Sequence, residues 1–158
     1  MSTWQALEEF KAAGKAKSIG VSNFQVDHLE HIIKESSTTP SVNQVELHPA
    51  FQQRELRGFQ TPLGIHTEAW GPLGQGKYDL FGEKAVTDAA DAHGVSPAQV
   101  VIRWHLDRGI IVFPKSNSRE RIASNFDVFG FELNEAELAA IDGLDAGKRV
   151  GAHPDEVN

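Results

Sequence analysis

Four short apolar runs recur along the chain, and each is followed by a segment of helical spacing. The runs are "KSIGVS", "SVNQVEL", "GIHTEAW" and "IIVF", at residues 17–22, 41–47, 64–70 and 110–113. After the first, Val26, Leu29, Ile32 and Ile33 form an apolar stripe. After the second, "QQRELRGF" reads as a short helix broken by "TPLG". After the third, residues 82–93 read as a helix that stops near Gly94. Ser96, Pro97 and Gln99 then open another helix with an N-cap, a proline at its first position and a capping box. It carries Val100, Val101, Trp104 and Leu106 and ends at Gly109. "SRERIASNF" starts the helix after the fourth run, and Asn134 with Glu137 cap a last one. An opening helix, capped by Ser2 with Gln5, presents Trp4, Leu7 and Phe10 and stops at Gly14; Phe10 and Trp104 are assigned to the core. Strands that alternate with helices need crossover connections, so the sheet is parallel and the chain is α/β.

The polar residues of this rhythm share one address. Ser22–Asn23, Asn43–Gln44, Glu68 to Trp70 and Lys115–Ser116 all lie in or just past the C-terminal half of a strand. Both a (β/α) barrel and an open doubly wound sheet bind ligands at that end, and periodicity leaves the two architectures open. The tail "KRVGAHPDEVN" reads as irregular. No linker of domain-boundary type and no repeat beyond the βα rhythm interrupts residues 1–158.

A net charge of −7 argues against a general nucleic-acid or anionic-membrane binder. No apolar stretch approaches the ~18 residues of a membrane span, and the N-terminus has no signal-peptide pattern. The absence of cysteine excludes disulfides and suits a cytoplasmic protein. Against this acidic background the basic cluster "KSNSRER" calls for a local explanation. A helix start favours an anion, and Arg121 lies about a turn and a half past Lys115, within reach of the same ligand. The cluster reads either as a phosphate seat or as a solvated helix start. "GPLGQG", residues 71–76, brings three glycines to a strand end, where backbone can approach a pyrophosphate closely. It lacks the dinucleotide fingerprint and the P-loop ending, and a flexible turn is the other reading. His28 and His31 read as a surface pair rather than metal ligands, so no metal is expected. His48 reads as a polar residue of a turn. A glycosidase dyad of Glu46 and Glu68 would leave Gln44, Trp70 and the basic cluster without a role.

Taken in order and spacing, "KSIGVSNF", "VNQVELHPAF", "AWGPLGQGKYDLFG", "SPAQVVIRWHL" and "FPKSNSRERIASNFDVFGFEL" resemble the aldo/keto reductase family. The "WGPLGQG" version and the "HPDEVN" tail are most similar to its bacterial 2,5-diketo-D-gluconate reductase branch. The resemblance covers essentially the whole chain. It implies a (β/α)8 TIM barrel that binds NADPH without a Rossmann motif and reduces small ketones, aldehydes or keto-sugar acids. It implies that Ser22, Asn23 and Gln44 bond the nicotinamide carboxamide. Trp70 would stack on the nicotinamide in place of the family's usual Tyr, and Gly71, Leu73, Gly74 and Gln75 would wrap the pyrophosphate. Lys115, Ser116 and Arg121 would hold the adenosine 2′-phosphate, and Asn125 would contact adenine. Ser124 stands where many relatives carry Glu, and Phe113 replaces the usual Ile before "PKS". Gly58 and Pro62 interrupt what should be the helix after the second strand.

The family barrel needs about 250 residues. The resemblance therefore implies only the C-terminal half of the barrel, four βα units, as a partial domain over residues 1–158. The catalytic Asp, Tyr, Lys and His of the family have no counterpart, and Tyr78, the sole tyrosine, is not aligned as the proton donor. Three outcomes follow: half of a split reductase completed by an N-terminal half, a non-catalytic nucleotide-binding or assembly module, or a truncated product. Open barrel edges, with Val21, Val45 and Val112 on the inner face, would favour self-association.

Overall fold

The computed structural model of the chain describes residues 2–156; Val157 and Asn158, the end of the tail motif, lie outside the described residues. The elements run α1 (Ser2–Ala12), β1 (Val21–Ser22), α2 (Val26–Glu35), β2 (Val42–Glu46), α3 (Arg54–Gln60), β3 (His66–Trp70), α4 (Lys84–His93), α5 (Pro97–Asp107), β4 (Ile111–Val112), α6 (Arg119–Phe126) and α7 (Glu135–Asp142). The strands form one sheet in the order β1-β2-β3-β4. β1 and β2 pair in parallel with Val21 opposite Asn43 and Ser22 opposite Gln44. The His66 N–H donates to Ser41 O and the Leu47 N–H to Trp70 O, so β2 and β3 also advance together. A doubly wound sheet reverses its strand order at a switch point; this order never reverses, as in a barrel.

The backbone divides into two compact units, one comprising the residues up to Val45 with Gln53–Glu68, the other Glu46–Gln52 with Ala69 onward. In the first, Leu29, Val45, Leu56 and Ile65 form a core between helices and strands, and Trp4, Ile19 and Ile32 form a second. In the second, Trp104 is fully buried among Leu47, Val86, Val101, Ile110 and Ile141. The caps read for α5 and α7 are present, whereas Ser2, expected to cap the first helix, is itself the first residue of α1. Ser96 Oγ accepts the Gln99 N–H, Asn134 Oδ1 accepts those of Ala136 and Glu137, and Gly94 closes α4 with φ 64°.

Three expectations are corrected. Phe10 is 48% exposed, with Lys15 Nζ 5.4 Å from its ring centre. It lies six residues past Trp4, about 240° round the helix, so it cannot share the buried stripe. Gly58 does not interrupt α3, which runs through it to Gln60; only at Thr61–Leu63 does the chain tighten to a 3-10 turn around Pro62. Val45 packs with Leu29 and Leu56 and is 1% exposed, and Val21 packs against the same cluster. Strand alternation thus turns Asn43 and Val45 toward the helices and gives Val42, Gln44 and Glu46 to the opposite face. Val112 is half-buried between the exposed Ile111 and Phe113.

Candidate functional site

Within the first unit, the strand ends carry a group of polar side chains fixed by their backbones. Ser22 Oγ and the Asn23 N–H both donate to Gln44 O, at 3.0 and 2.8 Å. Asn23 has φ 61°, the left-handed region that asparagine tolerates better than most residues. Behind the turn, Asn43 Nδ2 donates to Phe24 O at 2.9 Å and to Gln60 Oε1 at 3.1 Å, and Gln60 Nε2 donates to Thr67 Oγ1. All three side chains of this ladder are buried. It anchors the turn from the helix side, a role that reading Asn43 as one more strand residue did not reveal. On the opposite face, Gln44 Nε2 donates to Glu68 Oε1. The result is a set of amide and hydroxyl groups suited to a ligand that both donates and accepts, such as a primary amide.

Within the second unit, the chain leaves β3 at Trp70 and enters a run with left-handed φ at Gly71, Gly74, Gln75 and Gly76. A Cβ on Gly74 would sit 2.5 Å from the Tyr78 ring, so only glycine fits there. Leu73 packs its side chain against the core and leaves its backbone in the loop. Gln75 has φ 54° without being glycine, a local strain held by the surrounding turns.

The basic cluster lies between β4 and α6. The sequence places Lys115 and Ser116 at the helix start, but α6 begins at Arg119, capped by Ser118. Ser116 Oγ accepts the Ser118 N–H at 3.2 Å and the Arg121 Nε–H at 3.3 Å, so two of the expected phosphate ligands already touch. Among the described residues neither Lys115 nor Arg121 is paired with a carboxylate, and both are exposed. Asn125 lies half-buried one turn further along α6. Two basic groups and a hydroxyl beside a helix start are groups that donate to an anion.

A separate chain of groups joins Tyr78, His48 and Glu46. His48 was expected as a polar turn residue; it is 0% exposed. Its Nε2 lies 3.2 Å from Glu46 Oε1, and its Nδ1 lies 3.1 Å from the Tyr78 hydroxyl. A carboxylate accepts only, so Nε2 carries the proton and Nδ1 accepts from the phenol. Burial lowers the His48 pKa although the Glu46 hydrogen bond and charge oppose it, which keeps the ring neutral. Burial pushes the Tyr78 pKa up to about 12. Glu46 also accepts the Val150 and Gly151 N–H groups and lies 3.6 Å from Arg149. A Cβ on Gly151 would sit 2.4 Å from the Trp70 ring, so the tail crosses that ring closely. Glu46 is thus committed to anchoring the tail and Glu68 to Gln44, which leaves no free carboxylate pair for glycoside chemistry. His28 Nδ1 accepts the Gln25 N–H at 3.1 Å as part of a helix cap, while His31 is exposed. Among the described residues no cluster of three metal-ligating side chains occurs, and no helix is long and apolar enough to cross a membrane.

Residues 1–146 match the model of the aldo/keto reductase family, and the chain belongs to that family. It is 49% identical over 156 residues to the methylglyoxal reductase DkgA of Escherichia coli, covering 99% of this chain and 57% of the relative. Its backbone superposes with a TM-score of 0.97 on an aldo-keto reductase enzyme from a Medee basin deep-sea metagenome library, at 38% identity, covering 99% of this chain and 58% of the other. A mutant of Gox0644 solved in complex with NADPH superposes with a TM-score of 0.94 at 48% identity, covering 99% of this chain and 57% of the other. The expected fold class stands: an α/β chain matching the (β/α)8 fold of the family and spanning a little over half the length of these relatives.

Proposed function

We propose that the chain is the cofactor-binding part of an NADPH-dependent carbonyl oxidoreductase of the aldo/keto type. In this reading Ser22, Asn23 and Gln44 hold the nicotinamide carboxamide and Trp70 stacks on its ring. Gly71, Leu73, Gly74 and Gln75 receive the pyrophosphate. Lys115, Ser116 and Arg121 receive the 2′-phosphate, and Asn125 the adenine. NADPH, when bound, supplies the hydride for a small aldehyde, ketone or keto-sugar acid. A relative that carries the name methylglyoxal reductase supports that substrate class.

The observation that carries the reading is the contact between Arg121 Nε and Ser116 Oγ, beside an exposed Lys115 and with no carboxylate neutralising either cation among the described residues. A test uses 2′,5′-ADP, which has the 2′-phosphate and no nicotinamide. Arg121→Ala should weaken its binding about tenfold or more, the loss of one charge-assisted hydrogen bond, and leave 5′-ADP binding unchanged. Equal losses for both nucleotides, or none, would remove the 2′-phosphate from this cluster.

A second reading, nucleotide binding without turnover, is favoured by Tyr78. Reduction of a carbonyl needs an acid for the developing alkoxide, and this phenol is tied to His48 with its pKa raised. In this reading Tyr78 does not supply that proton.

A further inference from the structure

Gln44 is asymmetrically held. Its side-chain amide has two ends of opposite character, and the partner fixes which way each end faces: Glu68 Oε1 accepts from Gln44 Nε2, and a carboxylate offers no donor in return. The NH2 end is therefore held on Glu68, and Oε1 is turned the other way. Among the described residues no donor is directed at that oxygen. Gln44 and Glu68 occupy the same face by strand alternation, the face opposite the buried Val45 and Thr67. The Gln44 backbone is fixed independently, because its carbonyl takes both the Ser22 hydroxyl and the Asn23 N–H.

We infer that Glu68 is a positioning residue: it locks the Gln44 amide so that Oε1 faces outward as an acceptor for the NH2 of a primary carboxamide. The inference rests on the proposed function, and it adds a polarity that the resemblance did not supply. A ligand whose ring carries an amide NH2 satisfies the exposed oxygen. One carrying a methyl ketone in the same place leaves it without a donor, so Glu68 selects for the carboxamide and not for the rest of the nucleotide.

The test titrates the full chain, unmodified and as Glu68→Ala and Glu68→Gln, with three ligands. They are NADPH, its 3-acetylpyridine analogue, which lacks the amide NH2, and 2′,5′-ADP, which lacks the ring. Glu68→Ala should weaken NADPH binding about three- to tenfold, the loss of one oriented hydrogen bond. It should leave the acetylpyridine analogue and 2′,5′-ADP unchanged. Glu68→Gln keeps a side-chain oxygen that accepts from Gln44 Nε2, so it should retain most of the NADPH affinity that Glu68→Ala loses. Equal loss for all three ligands would mean that Glu68 merely supports the fold, and unchanged NADPH binding in both variants would overturn the inference outright. An unmodified chain that binds 2′,5′-ADP but not NADPH would defeat the inference while leaving the phosphate seat intact. One that binds neither would defeat the proposed function and the inference with it.

Discussion

Tyr78 is the single tyrosine of the chain, so its ionisation can be followed by absorbance without a competing signal. In the fold its hydroxyl donates to a neutral His48, and burial raises its pKa from 10.0 to about 12. A raised pKa means that the unfolded chain gives up this proton first. The contribution to stability is full below pH 10 and is lost as the pH rises toward 12. An alkaline titration should therefore show no phenolate near pH 10 while the protein stays folded, and ionisation should accompany unfolding above that. A reversible phenolate with a midpoint near 10 in the folded chain would contradict the buried contact. The sequence concealed this chain of groups for a physical reason. Glu46, the partner of the buried His48, accepts from Val150 and Gly151, more than a hundred residues further on. No local pattern around "ELHPAF" carries that information. The βα rhythm by contrast marks strand ends, and the structure has Ser22 closing β1 and Lys115 three residues past the end of β4.

The elements depend on close approach at a few positions. Gly20 precedes β1, and a Cβ there would lie 2.7 Å from the Val42 carbonyl oxygen and 2.3 Å from Val42 Cγ1. The backbone oxygen cannot swing away as a side chain can, so β1 would have to separate from β2. Gly20→Ala is expected to cost about 1–3 kcal/mol, read as a lower midpoint in denaturant unfolding. It should also loosen the Ser22–Asn23 turn, which hydrogen-bonds to Gln44 O across that strand pair. An alanine variant of unchanged stability would show that the two strands are not packed this tightly. Helix caps were readable because Ser96 with Gln99 and Asn134 with Glu137 act within four residues. The facing of the strands was not readable from the valines. Val45 and Gln44 alternate, but only the helices α2 and α3 decide which of the two is covered.

For the whole molecule, the second unit exposes a run of large apolar side chains. Phe126 and Phe129 are 77% and 69% exposed and stack edge to face at 6.0 Å, and Ile111 and Phe113 are also exposed. Uncovered apolar surface of this kind drives association. Sedimentation velocity over a range of concentrations should show mass rising with concentration, and Phe126→Ser with Phe129→Ser should reduce it. A monomer at every concentration would mean that these rings are tolerated as solvated surface. The order of the four strands distinguished a barrel-type sheet from a doubly wound one, which the spacing of the elements alone had left open.

If these residues serve NADPH, the 2′-phosphate distinguishes it from NADH. The most direct measurement is calorimetric titration of the chain with NADPH and with NADH at matched ionic strength. One equivalent of NADPH should bind, with an affinity about tenfold or more above that for NADH, since the 2′-phosphate gains charge-assisted hydrogen bonds at Lys115, Ser116 and Arg121. Equal affinities, or no heat of binding with NADPH, would contradict that assignment.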